Sequence, residues 1–275
     1  MKHSIAVMLL CLCLLPTTGL AKPGASKNFG EKDWSALRGM AALDGKVYVA
    51  SAVTLWEVDK AGKARDLAPK SEAGWGRTTA ITTLGDKLYV INEDVLYEVD
   101  PKAKGKVKKL GEDWGSVPAM AGLGGKLYIV ASEELYEVDP ASGQYKSLSS
   151  DWYNVDGMAA LDGKLYILRR DQLEQVDPAG TGKAFEGTYN SPTGMTALGG
   201  KLYISASERT THPDAKLINE AALYEVDPTG KRTRIALPKG WDLSSGVTAM
   251  TGLDGKLYLS MPGMSRSTFF SLDVK

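Results

Sequence analysis

Hydrophobic and polar positions recur along this chain with a period of roughly 40 residues, the length of one supersecondary unit in an array. Each period opens on an apolar segment of the Met-Ala-Ala-Leu type. A two-residue turn follows, then an alternating segment rich in aromatic and β-branched residues, then a second alternating segment ending in Asp. The phrase G-K-L-Y marks the second segment: Lys46-Val47-Tyr48, Lys87-Leu88-Tyr89, Lys126-Leu127-Tyr128, Lys164-Leu165-Tyr166, Lys201-Leu202-Tyr203 and Lys256-Leu257-Tyr258. The third segment is L-Y-E-V-D or a relative, from Leu55, Leu96, Leu135, Leu173, Leu223 and Phe269. Period-two alternation places successive side chains on opposite faces of a strand. The pairs Asp44-Gly45, Gly124-Gly125 and Asp254-Gly255 suit a two-residue hairpin that needs positive φ. A closing Asp can bond its own backbone to make the next turn. A short basic segment such as Lys106 to Leu110 completes the unit as an exposed edge strand.

Four strands per unit, repeated six times with an aromatic landmark, predict an all-β fold: a six-bladed β-propeller of four-stranded blades. The last repeat reaches Lys275 just after its third strand. Ser26 to Phe29, followed by Asp33-Trp34, matches the fourth strand of the second unit, where Leu110 precedes Asp113-Trp114. The N-terminal strand is therefore expected to complete the last blade and close the ring, with Phe29 in the place of Leu110.

Residues 1–21 read as a signal peptide. Lys2 and His3 precede an apolar run from Ile5 to Leu15, Pro16 ends it, and Gly19-Leu20-Ala21 offers small residues at a cleavage site. The run is too short to span a bilayer. Residues 22–275 then form one propeller domain, secreted or periplasmic. Both cysteines, Cys11 and Cys13, lie in the apolar run, which leaves no disulfide or thiolate chemistry to the mature chain. His212 is its one histidine, so a His-rich metal site or a Ser-His-Asp arrangement has little to draw on. Basic and acidic residues number 33 each, and no basic field points to nucleic acid or to a membrane surface. No cofactor or metal is expected. The acidic loop pairs Glu93-Asp94 and Glu133-Glu134 lack the D-x-D-x-D-G pattern of a calcium loop.

Function is expected on the face that holds the blade connections and the loops between second and third strands, because this upper face varies from blade to blade. Its largest element is an insertion in the fifth unit, about Ser207 to Glu220, expected as a long loop carrying Arg209, Asp214 and Asn219. The sixth unit adds Arg266 and, before its inner strand, Trp241. Arg38 and Asp156 share one repeat position, two before the ring of Met40, Ile81, Met120, Met158, Met195 and Met250. They belong to opposite blades and face the upper channel mouth in this reading. The aromatic ring of Trp34, Trp75, Trp114, Trp152, Tyr189 and Trp241 either stacks on sugars or wedges adjacent blades apart, and repetition in every unit favours the wedge. The methionines read as packing.

The L-Y-x-V-D-P-x-T-G third strand and turn resemble those of bacterial propeller repeats. The order Asp-Trp, inner strand, G-K-L-Y, L-Y-E-V, carried by Trp75, Trp114, Leu127-Tyr128 and Leu135-Tyr136, is also similar to the tachylectin family of sugar-binding propellers. That resemblance implies a glycan ligand. The family's five longer blades and N-W-L-A-R-A motif have no counterpart here, so none of its binding residues carries over. The leading expectation is a secreted, non-catalytic module binding glycan or protein with its upper face. The alternative is a carboxylate-dependent hydrolase, lactonase or lyase at the channel mouth.

Overall fold

The structure is a computed structural model that describes residues 25–29, 34, 37–52, 54–67, 75–211, 217–238, 241, 246–261 and 268–274, the side chains of 208–211 and 217–220 excepted. The expected signal peptide lies outside the described residues. Among those described, 24 strands form six antiparallel four-stranded sheets. The first blade holds β2 (Gly39–Leu43), β3 (Lys46–Ala50), β4 (Leu55–Val58) and β5 (Ala64–Asp66). The second holds β6 (Thr78–Leu84), β7 (Lys87–Asn92), β8 (Val95–Asp100) and β9 (Lys106–Gly111). The third holds β10 (Ala119–Leu123), β11 (Lys126–Ala131), β12 (Glu134–Val138) and β13 (Tyr145–Ser149). The fourth holds β14 (Val155–Leu161), β15 (Lys164–Arg169), β16 (Gln172–Val176) and β17 (Gly182–Ala184). The fifth holds β18 (Asn190–Leu198), β19 (Lys201–Thr211), β20 (Leu217–Val226) and β21 (Arg232–Ile235). The sixth holds β22 (Ala249–Leu253), β23 (Lys256–Met261), β24 (Thr268–Asp273) and, as its outermost strand, β1 (Ser26–Asn28). The six first strands touch one another in ring order, with β2 against β22 closing the circle. The chain is an all-β, six-bladed propeller.

Closure by the N-terminus follows the expected register. Ser26, Lys27 and Asn28 pair with Leu272, Ser271 and Phe270. The Phe29 amide donates to the Phe269 carbonyl at 2.9 Å. The equivalence of Phe29 and Leu110 is visible in how the next blade packs. The turn after the third strand of each of the first five blades carries a positive-φ glycine against the end of the preceding blade's fourth strand. Gly62 (φ 89°) lies on the Phe29 ring, and Gly143 (φ 74°) lies on the Leu110 carbonyl. A Cβ at Gly143 would come within 2.2 Å of that oxygen, so both the backbone angle and the space demand glycine.

The aromatic ring is a set of wedges. Trp34, Trp75, Trp114, Trp152 and Tyr189 are only 1–5% exposed. In four blades the landmark packs edge-on against an aromatic of the third strand, as with Trp34 and Trp56, Trp75 and Tyr97, Trp114 and Tyr136, and Tyr189 and Tyr224. The indoles of Trp34 and Trp152 donate to Phe29 O and Ser149 Oγ, at the end of the preceding blade's outer strand. A flat ring thus fills the gap between blades, and in these two its N–H also ties them together, whereas the buried Trp75 and Trp114 N–H groups meet no acceptor among the described residues.

The repeated Lys, Tyr and Glu form a polar knot beside the lower turns. Tyr48 is the cross-strand partner of Glu57, and Lys46 Nζ reaches the same carboxylate at 2.7 Å. Arg65 adds two further bonds, and its guanidinium, with Lys46, holds the Glu57 carboxyl at a pKa of about 2 despite its burial. Burial first, and the Glu57 charge second, drives the Tyr48 hydroxyl far above the usual phenol range. Lys201 and Tyr203 meet Glu225 in the same way in the fifth blade. These repeated polar positions bond one another and serve the scaffold.

Candidate functional site at the upper channel mouth

The central channel is pinched by the ring of Met40, Ile81, Met120, Met158, Met195 and Met250, whose members line a cavity on either side of them. The five methionines are 6–8% exposed, so they pack between blades and border the channel at once. Small neighbours make room for the ring. A Cβ on Gly39 would come within 2.6 Å of Ile81, and one on Gly157 within 3.2 Å of Met195.

Below the ring lies a cavity of about 250 Å³ walled by residues such as Ala42, Thr83, Gly122, Ala160, Ala197 and Gly252, without a charge. Above it lies a vestibule of about 150 Å³ whose rim is Arg38, Thr79, Pro118, Asp156, Thr193 and Thr248. This is the repeat position singled out in the sequence, and the structure brings Arg38 and Asp156 into one vestibule from opposite blades. Thr193 and Thr248 already bond Ser205 and Ser260 at 2.9 and 2.8 Å. The Thr193 oxygen also accepts the Val247 amide. Arg38 and Asp156 are the two charged members of the rim, and no hydrogen bond or ion pair to a described side chain engages either.

Asp156 is placed by a β-bulge. Val155 pairs with Arg169 and Gly157 with Leu168, which leaves Asp156 as the extra residue. A bulge of this kind re-aims a side chain, here into the channel. The channel walls partly desolvate the carboxyl, which still opens to water, and the Asp171 charge adds to that effect, raising its pKa to about 6.

The other expected site residues are not gathered at this mouth by the described structure. Trp241 is half-buried and packs against Phe270 with centroids 4.8 Å apart, so it is the one ring aromatic that keeps part of a face open. The fifth-blade insertion is not the long loop expected. β19 and β20 run through it as a ladder from Ser207↔Ala221 to Thr211↔Leu217, with Arg209 and Asn219 as direct cross-strand partners. The β-branched Thr210, Thr211 and Ile218 supply the strand preference that the surrounding polar residues masked. Asp214 and Arg266 lie outside the described residues. Sequence reasoning missed the bulge at Asp156, since Trp152 and Met158 keep the same six-residue offset as Trp114 and Met120 and the sequence carries no trace of it. Among the described residues no three His, Cys, Asp or Glu side chains converge as a metal site, and no helix is long and apolar enough to cross a membrane.

No family model matches this sequence, and no characterised protein matches it at the level of sequence. Solved structures do match in shape. A calcium-binding protein, regucalcin, from Agrobacterium tumefaciens superposes with a TM-score of 0.64 at 15% identity, covering 93% of this chain and 96% of that one. A virginiamycin B lyase from Staphylococcus aureus, with quinupristin, gives 0.60 at 9% identity over 91% and 99%. A propeller in a nidogen/laminin complex gives 0.57 at 15% identity over 74% and 81%. At these identities the likeness is one of fold.

Proposed function

We propose that residues 22–275 form a secreted, non-catalytic binding module that takes one polar group of a glycan or protein ligand into the upper vestibule. The observation that carries this reading is the pair of opposed charges, Arg38 and Asp156, on a rim whose remaining members are neutral. A space of about 150 Å³ admits a substituent rather than a whole ligand, which is smaller than the pockets that enclose drug-sized molecules. The rest of the ligand then lies across the upper face, where Arg209, Asp214 and Asn219 of the fifth repeat, Arg266 of the sixth, and the half-buried Trp241 are the proposed further contacts. Secretion is supported by the leader-like residues 1–21 and by propeller neighbours that are extracellular domains.

One observation favours the second reading, a hydrolase or lyase. Asp156, with its raised pKa and no described partner, is suited to proton transfer near neutral pH. The same variants separate the two. Wild-type protein is screened on a glycan array and against envelope extracts, and each hit is titrated against Arg38→Ala and Asp156→Asn. Binding weakened at least tenfold by either change, with no ligand turnover, supports the binding module. Turnover that Asp156→Asn abolishes while affinity persists supports the enzyme. Unchanged affinity in both variants overturns the vestibule as the site.

A further inference from the structure

The blades differ in how they use the aromatic wedge at their outer rim. In the fourth blade Arg169, the last residue of β15, lays its guanidinium 4.5 Å from the Trp152 ring centroid. It donates to the Asp151 carbonyl, just before the tryptophan, and to Glu174 Oε1 at 2.6 Å. In the fifth blade Arg232 does the same from another strand. Its guanidinium lies 5.6 Å from Tyr189 and 5.5 Å from Tyr224, and it donates to the carbonyl of Thr188, again the residue before the wedge. Two blades therefore fill this place with a guanidinium of their own.

The third blade keeps the wedge and the carbonyl before it, has Tyr136 in the place of Glu174, and lacks the cation. Register alignment puts Ala131 where the fourth blade has Arg169, since Ala131 pairs with Glu134 as Arg169 pairs with Gln172. Tyr145 stands where the fifth blade has Arg232, since they pair with Val138 and Val226. What remains is a cavity of about 50 Å³ walled by Trp114, Tyr136, Tyr145, Ala131 and the acidic pair Glu112 and Asp113. At 10–15 Å³ for each small group, that is room for roughly four heavy atoms, the count of a guanidinium. The three rings lie within 5.0–5.7 Å of one another, and such faces attract a cation through their quadrupoles. Glu112 is engaged by Lys109, which leaves Asp113 as the second carboxylate on the wall. Tyr145 is 62% exposed, the one large hydrophobic side chain so exposed among the described residues, and it puts the cavity in direct reach of solvent.

We infer that the cavity walled by Trp114, Tyr136 and Tyr145 binds a guanidinium group from outside, the arginine side chain of a partner polypeptide. The planar cation slots over Trp114 as Arg169 does over Trp152, and donates to the Asp113 backbone as Arg169 does to that of Asp151. This site is separate from the channel mouth and does not depend on the reading proposed for it.

The test titrates full-length protein with N-acetyl-arginine amide, with free arginine, and with N-acetyl-citrulline amide, the neutral isostere, by tryptophan fluorescence and calorimetry. The arginine amide is expected to bind at least tenfold more tightly than the citrulline amide. Ala131→Arg supplies the missing internal cation, so it is expected to abolish binding while keeping the wild-type melting temperature or raising it. Tyr145→Ala removes one exposed wall and is expected to weaken binding at least threefold without unfolding the protein. Free arginine binding as well as the amide means that the guanidinium alone is read, and weaker binding means that the peptide bonds contribute. Equal affinity for arginine and citrulline amides, no binding of either in the millimolar range, or binding unmoved in both variants overturns the inference.

Discussion

The two ends of the central channel are made by the same six strands, yet they are built to different ends. Below the Met ring every blade contributes a small or neutral residue, and a Cβ at Gly122 would come within 2.3 Å of the Thr83 carbonyl and one at Gly252 within 2.6 Å of Leu198. Above the ring the equivalent positions diverge into arginine, aspartate, proline and three threonines. Close packing of inner strands is a problem each blade must solve in the same way, so the lower end repeats. The rim above is free of that demand, so its chemistry varies. Variation at one end of a repeated scaffold is therefore the reason the proposed site is placed there rather than at the lower end.

The sharpest way to break the comparison is to open the ring. Deleting residues 26–29 removes β1 and Phe29, whose ring packs 4.8 Å from Phe269. Loss of a buried phenylalanine with its strand is expected to cost roughly 4–6 kcal/mol, seen as a collapsed melting temperature or as aggregation through the bared edge. Both ends of the channel should fail together. A deletion with unchanged melting and solubility would falsify closure by the N-terminus. A smaller break is Met120→Ala, at the pinch itself. It is expected to cost about 2–5 kcal/mol, the range for truncating a buried long side chain, because Met120 packs with Trp114 and Ile129 while it borders the channel. The two cavities would then merge, and affinity at the upper rim should stay within twofold. A cost near zero in a urea melt would mean that the ring faces open solvent.

The scaffold was legible because it repeats. Six copies of G-K-L-Y and L-Y-E-V-D or their close relatives counted the blades, and one missing fourth strand at Lys275 was enough to assign Ser26 to Phe29 to it. Positive φ at Asp44 and Gly45, and at Asp254 and Gly255, meets the demand that those turn pairs announced. The wedge role of the tryptophans was also readable, since a residue needed in every blade is needed for packing. What was not legible depends on distances between units. Arg169 looked like one of several loop charges until its guanidinium was seen over Trp152. Ala131 carries no signal in sequence, because its meaning is the space that an arginine fills one blade later. The fifth-blade ladder was hidden by Ser207, Glu208, Arg209 and Asn219, polar residues that interrupt the apolar alternation by which a strand is read.

The smallest expected effect sharpens the upper end alone. Asp156 is held at a pKa of about 6 in the folded protein, above the range of a carboxyl in an unfolded chain. Between about pH 4 and pH 6 the folded state therefore keeps a proton that the unfolded state has released. By linkage, stability falls as pH rises through that window, and it levels off above it. The carboxyl opens to channel water, so the change is expected to stay under about 1 kcal/mol once solvent screening is allowed for. Asp156→Asn has no proton to lose. Its stability should match the wild type near pH 4 and exceed it slightly at pH 7, by urea melts at both values. Asp171 supplies part of the shift, so Asp171→Asn should shrink the wild-type slope without removing it. If Asp156→Asn were instead less stable at pH 7, the carboxylate would have a stabilising partner in the folded protein. Arg38, across the vestibule, is the cation to test first, by repeating the measurement in Arg38→Ala.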